Sequence, residues 1–415
     1  MLLNDEMIQH LRGQFPALAR RAAGREAVFL DGPAGTQVPI SVVEAIGHYL
    51  TTCNANSHGA FDTSAESDAM LDAAHQGIAD FLGAADKDCV TFGPNMTTMT
   101  LALSRAIGRT WKSEDEILLS GLEHDANFTP WILAAEDAGA TVRITNVNAA
   151  DCTLDMDDLR SKLNEQTRLV AVGCASNASG SINPVAEICS YAREVGALSF
   201  LDAVHFAPHD LIDVEEFGCD FLACSAYKFF GPHIGIVWGR REWLESIHPY
   251  KLRPSPNDLP GRWMTGTQNH ECMMGTLAAV DYIAKLGQTL DPNGANRRDA
   301  LKTAYNAIRT YERELCDALL DGLATNDEIK IWGITDPANR MNRLPTVSVT
   351  HARFTAKELA TRLNDAGIFA WHGNYYALPL TERIDVEPDG MVRLGLVHYN
   401  TKEEVDYLLA MLNRL

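Results

Sequence analysis

No run of about 18 consecutive apolar residues occurs in the chain, so no membrane-spanning helix is expected. The N-terminal stretch MLLNDEMIQHLRGQFPALARRAAG carries acids near its start and lacks the continuous apolar centre of a secretory signal; it reads as an amphipathic helix. Cationic residues are scarce. The balance of 35 Lys and Arg against 55 Asp and Glu leaves a formal net charge of −20, which repels phosphate backbones and excludes nucleic acid as the main partner. Paired cysteines are also missing. The nine cysteines are odd in number and none stands in CxxC spacing, so they form neither a disulfide framework nor a zinc site. They read as small core residues of a protein kept in a reducing compartment, the cytoplasm. No cysteine follows Cys316, and there is no internal repeat or low-complexity tract.

What is present is the make-up of a globular enzyme: 46% apolar residues in 415, enough chain for two domains. Between about residues 86 and 240, short apolar runs alternate with helical patterns. CVTFG precedes TTMTLALSRAIGRTW, EILLSG precedes FTPWILAAEDAGA, TVRITNV precedes DMDDLRSKLNE, and RLVAVGCAS precedes NPVAEICSYAREVGA. ALSFLDA, DFLACSA and HIGIVWG follow. Buried strands alternating with helices build an α/β fold around a mostly parallel sheet covered on both faces. Residues 271–325 read as a long helical stretch broken by the turn LDPNGAN. Beyond it TVSVTHA, AKELATRLNDAG, IFAWHG, MVRLGLV and KEEVDYLLAMLNRL make an α+β unit. The expected partition is an N-terminal helix over 1–24 packing with the small domain, a large domain over 25–290 and a small C-terminal domain over 291–415.

Ligands of such sheets bind beyond the carboxyl ends of the strands. Two of these ends carry Asp202, closing ALSFLD, and Lys228, closing DFLACSAYK. An amine and a carboxylate so placed suit pyridoxal 5′-phosphate: the amine condenses with the aldehyde, and the carboxylate keeps the pyridine nitrogen protonated. Each residue alone reads equally as a surface Lys or a turn Asp. The segment FGPNMTTMTLALSRA opens a helix with Asn95, Met96 and Thr97, whose N–H groups suit a phosphate or form an ordinary N-cap. His124 in SGLEHDANFTPW follows a strand and suits ring stacking and proton movement, or a structural role. Asn177 in CASNASGSINP suits a bond to a ring oxygen, or a turn. His205, three residues past Asp202, is a second candidate near the ring.

The ordered set EH, SN-x-x-G, D-A-x-H and S-x-x-K-x-x-G-P resembles the class V aminotransferases of pyridoxal phosphate fold type I, and within them the cysteine desulfurase and selenocysteine lyase branch. The resemblance runs from FLDGPAGTQVP to VHYNTKEEVDYLL. It implies a large domain around a mostly parallel seven-stranded sheet and a smaller α+β domain. It implies Lys228 as the Schiff-base lysine and proton shuttle, Asp202 at the pyridine nitrogen, His124 stacked on the ring and Asn177 at the ring oxygen. Ser225 and Thr97 would hold the phosphate with the adjacent backbone. Thr267 would reach the other subunit's phosphate across a homodimer with shared sites. Arg393 would hold the substrate carboxylate with its planar fork, and His58 and Tyr376 would line the substrate site.

The sequence also departs from the pattern. Tyr227 stands where the family often has His before the lysine, and Gly59 where an Arg often follows the His of an NxHRG stretch. In WHGNYYALPL, Tyr376 stands where desulfurases carry the Cys that takes up sulfur, and a phenol forms no persulfide. The expected activity is therefore carbon–sulfur lysis of an amino acid by β-elimination. Epimerase, racemase or aminotransferase activity is the alternative within the family, and a non-catalytic binding protein the alternative outside it.

Overall fold

The computed structural model describes residues 3–415. An N-terminal helix, α1 (Asp5–Arg12), is followed by α2 (Ile40–Thr52) and α3 (Asp62–Leu82). The sheet region then runs β1 (Val90–Gly93), α4 (Met96–Gly108), β2 (Glu116–Ser120), α5 (Thr129–Ala138), β3 (Thr141–Thr145) and β4 (Thr167–Gly173). It continues with α6 (Val185–Glu194), β5 (Leu198–Asp202), β6 (Phe221–Ser225) and β7 (Gly235–Gly239). Two long helices, α7 (His270–Leu290) and α8 (Arg297–Leu323), lead into β8 (Ile329–Trp332), β9 (Thr346–His351), α9 (Ala356–Asp365), β10 (Trp371–Gly373), β11 (Met391–Gly395) and α10 (Lys402–Leu412).

The seven strands order as β1-β7-β6-β5-β4-β2-β3. Only β7 runs against its neighbours. The inner strands are buried almost without a break, because helices cover both faces; this is why their sequences read as continuous apolar runs. β3 is an edge strand, and it alone carries a mostly exposed pattern. The parallel strands all end on one side of the sheet, which gathers the connections leaving Gly93, Ser120, Gly173, Asp202 and Ser225.

The second sheet is antiparallel, β8-β9-β11-β10, and has its own apolar cluster around Val347, Val349, Leu359, Val392 and Leu408. Helix α8 serves both cores. Ala300, Leu301, Ala304 and Ile308 belong to the main cluster, while Leu315, Leu319 and Leu323 belong to the second.

The break expected at LDPNGAN falls between α7 and α8. The N-terminal helix is shorter than its sequence pattern: it ends at Arg12, because Gly13 caps it and Pro16 opens a separate 3-10 turn. Ile8, Leu11 and Phe15 pack into the main cluster, and Arg12 binds Glu404 of α10 at 2.9 Å.

Candidate active site

The strand ends form a cavity with Lys228, Asp202, His124, Asn177, His205, Ser225, Met96 and Thr97 in its wall. Lys228 closes the short turn after β6, and its ammonium donates to the Pro33 carbonyl. Burial lowers its pKa to about 7, helped by the Arg393 charge and opposed by Asp202. An amine that loses its proton near neutral pH is available as a nucleophile.

Asp202 is 7% exposed. Burial raises it to about 6, against the pull of the Val204 N–H and of Lys228. Its Oδ1 accepts from Val204 N at 2.8 Å, which leaves the other oxygen for a ligand in the cavity.

His124 N-caps the turn after β2, and its Nδ1 accepts from Ala126 N at 3.0 Å. Burial, then the Lys228 and Arg393 charges, lower its pKa to about 4. The imidazole is therefore neutral, with its one proton on Nε2, and acts as a hydrogen-bond donor rather than a strong acid. Its other face stacks on Tyr376 (centroids 5.5 Å apart, 26° between planes).

The loop from β10 holds this ring in place. Asp125 N donates to the Tyr376 carbonyl at 2.7 Å. Tyr375 and Tyr376 both adopt positive φ, 57° and 59°, a conformation that costs a non-glycine residue about 1 kcal/mol or more and clusters at functional sites.

Asn177 donates through Nδ2 to the Tyr375 carbonyl at 2.9 Å, and its Oδ1 is buried without a partner. The unpartnered atom is thus an acceptor. Arg393, paired in β11 with Ser348 and Trp371, donates to the Asn177 carbonyl at 2.7 Å and lies 4.2 Å from the Tyr375 ring centre. Burial lowers it to about 10, so it stays cationic, and its Nε has no partner.

At the opposite end, α4 points its N-terminus into the cavity. Asn95 is the N-cap; its Oδ1 accepts from Thr98 N at 2.8 Å, and Asn95 is absent from the cavity wall. The first-turn N–H groups of Met96 and Thr97 have no intrahelical acceptor. β7 approaches so closely that a Cβ on Gly235 would lie 2.3 Å from the Asn95 carbonyl carbon. His205 places Nε2 3.0 Å from Thr346 Oγ1, and its Nδ1 is unpartnered.

His58 and Thr267 are not brought to this cavity. His58 is exposed on the α2–α3 connection, beside Asp68. Thr267 is exposed just before α7.

Two buried carboxyls escaped sequence reasoning. Glu123 accepts from Gly173 N at 2.8 Å and Asn127 Nδ2 at 2.6 Å. Burial raises it to about 8, against those donors and Ser120, with the Asp202 charge adding a smaller upward push. Its place in the EH pair was the available signal. Asp31 is raised to about 6 by burial, and the Arg393 charge only partly offsets this; it stands in the LDGPAG turn with one oxygen unpartnered.

Pyridoxal 5′-phosphate fits this set. The cavity offers unpaired N–H groups at a helix N-terminus for a phosphate, a buried carboxylate with a free oxygen for a protonated pyridine nitrogen, and a lysine that deprotonates near neutral pH.

The comparisons with known proteins agree. The family model for class V aminotransferases matches residues 28–408. A cysteine desulfurase of Pectobacterium carotovorum is 30% identical over 98% of each chain, and one of Yersinia pseudotuberculosis 29% identical with the same coverage. Among solved structures, the apo cysteine desulfurase of Thermococcus onnurineus superposes with TM-score 0.86 at 25% identity, covering 98% of this chain and 97% of that one. The Escherichia coli cysteine desulfurase in its S-sulfonic acid form gives TM-score 0.85 at 25% identity, covering 100% and 98%. The fold, the cavity and these matches together make the chain a member of the class V aminotransferase family of pyridoxal phosphate enzymes.

Proposed function

We propose that this enzyme cleaves the carbon–sulfur bond of a sulfur-containing amino acid by β-elimination and does so without a protein persulfide. The observation that carries the reading is the cavity wall. No cysteine lines it, and the ring stacked on its His124 is that of Tyr376.

When bound, the cofactor supplies the electron sink that stabilises negative charge at the substrate's α-carbon. The chain's residues do the rest. Arg393 binds the substrate carboxylate. Asp202 would hold a proton on the cofactor's pyridine nitrogen. Lys228, as a neutral amine, would take the α-proton onto Nζ. The Cβ–S bond then breaks, with its electron pair leaving on sulfur as a thiolate. His124 Nε2–H and the Tyr376 hydroxyl are the two donors at the outer edge.

We further propose a homodimer. Ile40, Val43 and Leu50 on α2 and Phe61 at the start of α3 are exposed apolar side chains, and exposed apolar surface of this kind suits contact with a second copy. His58 and Thr267, remote from their own cavity, would serve that of the second copy.

A panel of sulfur amino acids incubated with the yellow holoenzyme tests the reaction. Pyruvate, ammonia and a thiol in equal amounts are expected. Alanine with sulfane sulfur would instead establish desulfuration, and α-proton exchange or pyridoxamine phosphate without thiol would establish epimerisation or transamination. Lys228→Ala abolishes both turnover and the visible band; a borohydride-reducible linkage surviving in that variant would overturn the lysine assignment.

A further inference from the structure

Behind the cavity lies a row of polar atoms without partners. His205 Nδ1, His209 Nε2, Glu312 Oε1 and His398 Nδ1 are all buried and unpaired. A buried polar atom without a partner is destabilising, so a group of them marks a place for internal water.

The row starts at His205 in the cavity wall. The His209 ring, in the turns after β5, lies 5.6 Å away between centroids. His209 Nδ1 is 2.8 Å from Glu312 Oε2 on α8. His209 and Glu312 in turn line a second cleft of ≈ 1000 Å³, bounded by Arg309, Arg313 and Arg340. One side-chain pair thus stands between the cofactor cavity and an opening on the other side of the row.

We propose that His205, His209 and Glu312 form a proton path from the cofactor cavity to the cleft beside α8, carrying protons that Lys228 and the substrate exchange with solvent. The proposal rests on the pyridoxal phosphate reading. The contacts set the direction. With Nδ1–H donating to the Glu312 carboxylate, His209 keeps Nε2 as an acceptor toward His205. A proton arriving at Nε2 through bridging water releases the Nδ1 proton to Glu312. An O–H bond of the bridging water breaks as the Nε2–H bond forms, and the Nδ1–H bond breaks as the Glu312 O–H bond forms. Glu312 then delivers to water in the cleft, and reorientation of the imidazole restores the starting tautomer.

Burial pushes the Glu312 carboxyl up, with His209 and the His398 backbone N–H pulling it back, so it can hold the proton in transit. The other groups facing the pair are committed elsewhere. Asp210 pairs with Arg309 at 3.3 Å, the Tyr305 hydroxyl donates to the Ala207 carbonyl at 2.6 Å, and Arg343 is held by the Ser179 and Thr346 carbonyls. The Cys316 thiol is pushed up by burial and stays protonated. His398 forms a side branch that ends at the Tyr282 hydroxyl, 2.7 Å away.

The test uses the holoenzyme and two readouts: relaxation of the visible band after a pH jump without substrate, and washout of the α-proton of L-alanine into deuterium oxide. His209→Ala slows both by about tenfold or more, and added imidazole, entering through the cleft, restores them. Glu312→Gln keeps an acceptor for Nδ1–H but takes no proton; it slows both with no rescue by imidazole. Rates equal to the parent in either variant, or no response of His209→Ala to imidazole, would overturn the path. A parent protein that binds no cofactor would instead refute the reading on which the path rests.

Discussion

Lys228 and Asp202 illustrate how burial prepares two groups for opposite tasks. Desolvation disfavours the charged form of each, lowering the lysine to about 7 and raising the aspartate to about 6. Between these values the cofactor-free cavity holds a carboxylate beside an amine that is losing its proton. Cofactor uptake by the apoenzyme should therefore accelerate as the pH rises through about 7 and level off above it. Affinity should fall as the pH drops below about 6, where Asp202 protonates. Stopped-flow absorbance and equilibrium titration measure the two limbs. Asp202→Asn removes a charge-assisted hydrogen bond of about 1.5–3 kcal/mol, and its cofactor dissociation constant should rise by roughly ten- to a hundredfold; an unchanged constant would mean that the pyridine nitrogen is held elsewhere. At this scale much was legible. Lys228, Asp202 and His124 could be picked out because each follows a strand run. The protonation state of His124 was not, since it depends first on burial, then on two cations far away in sequence, and its tautomer on the Ala126 N–H.

At the scale of elements, the site depends on how closely β7 and the start of α4 approach. Gly235 has no room for a side chain against Asn95, so Gly235→Ala must displace the helix N-terminus that faces the phosphate end. A clash in a packed region costs about 1–3 kcal/mol. The variant should melt several degrees lower and bind pyridoxal phosphate more weakly than it binds pyridoxal, and a differential loss separates a damaged phosphate cradle from general destabilisation. The strands were readable because six of the seven are buried and their sequences are continuous apolar runs. The N-terminal helix was over-read because its amphipathic pattern continues past Gly13 and Pro16, where backbone geometry ends it. The Tyr375–Tyr376 turn carries no glycine. Asn374 is its one local signal, accepting from Tyr376 N at 3.2 Å and Ala377 N at 2.8 Å, and long-range bonds from Asn177 and Asp125 hold the left-handed backbone.

At the scale of the whole molecule, the cavity wall comes from the large-domain sheet region, and the smaller sheet braces it: Arg393 and Tyr375 bond Asn177, and Tyr376 stacks on His124. The contact of His209 with Glu312, 103 positions apart, was invisible to motif reading, because neither residue stands at a strand end or in a recognised spacing. Helix α8 joins these parts in a further way. Its N-terminal half fills one core and its C-terminal half the other, and a continuous helix of 27 residues extends for about 40 Å. Neither core can complete itself until the other has formed, because losing half of such a helix exposes apolar side chains and frays the remainder. The chain should therefore denature as one cooperative unit: a single calorimetric peak is expected for the apoenzyme, and two resolved peaks would show that the rod breaks first. Proteolytic nicking near the middle of α8 would then release both cores together, which makes this helix the mechanical keystone of folding as well as a wall of the cleft.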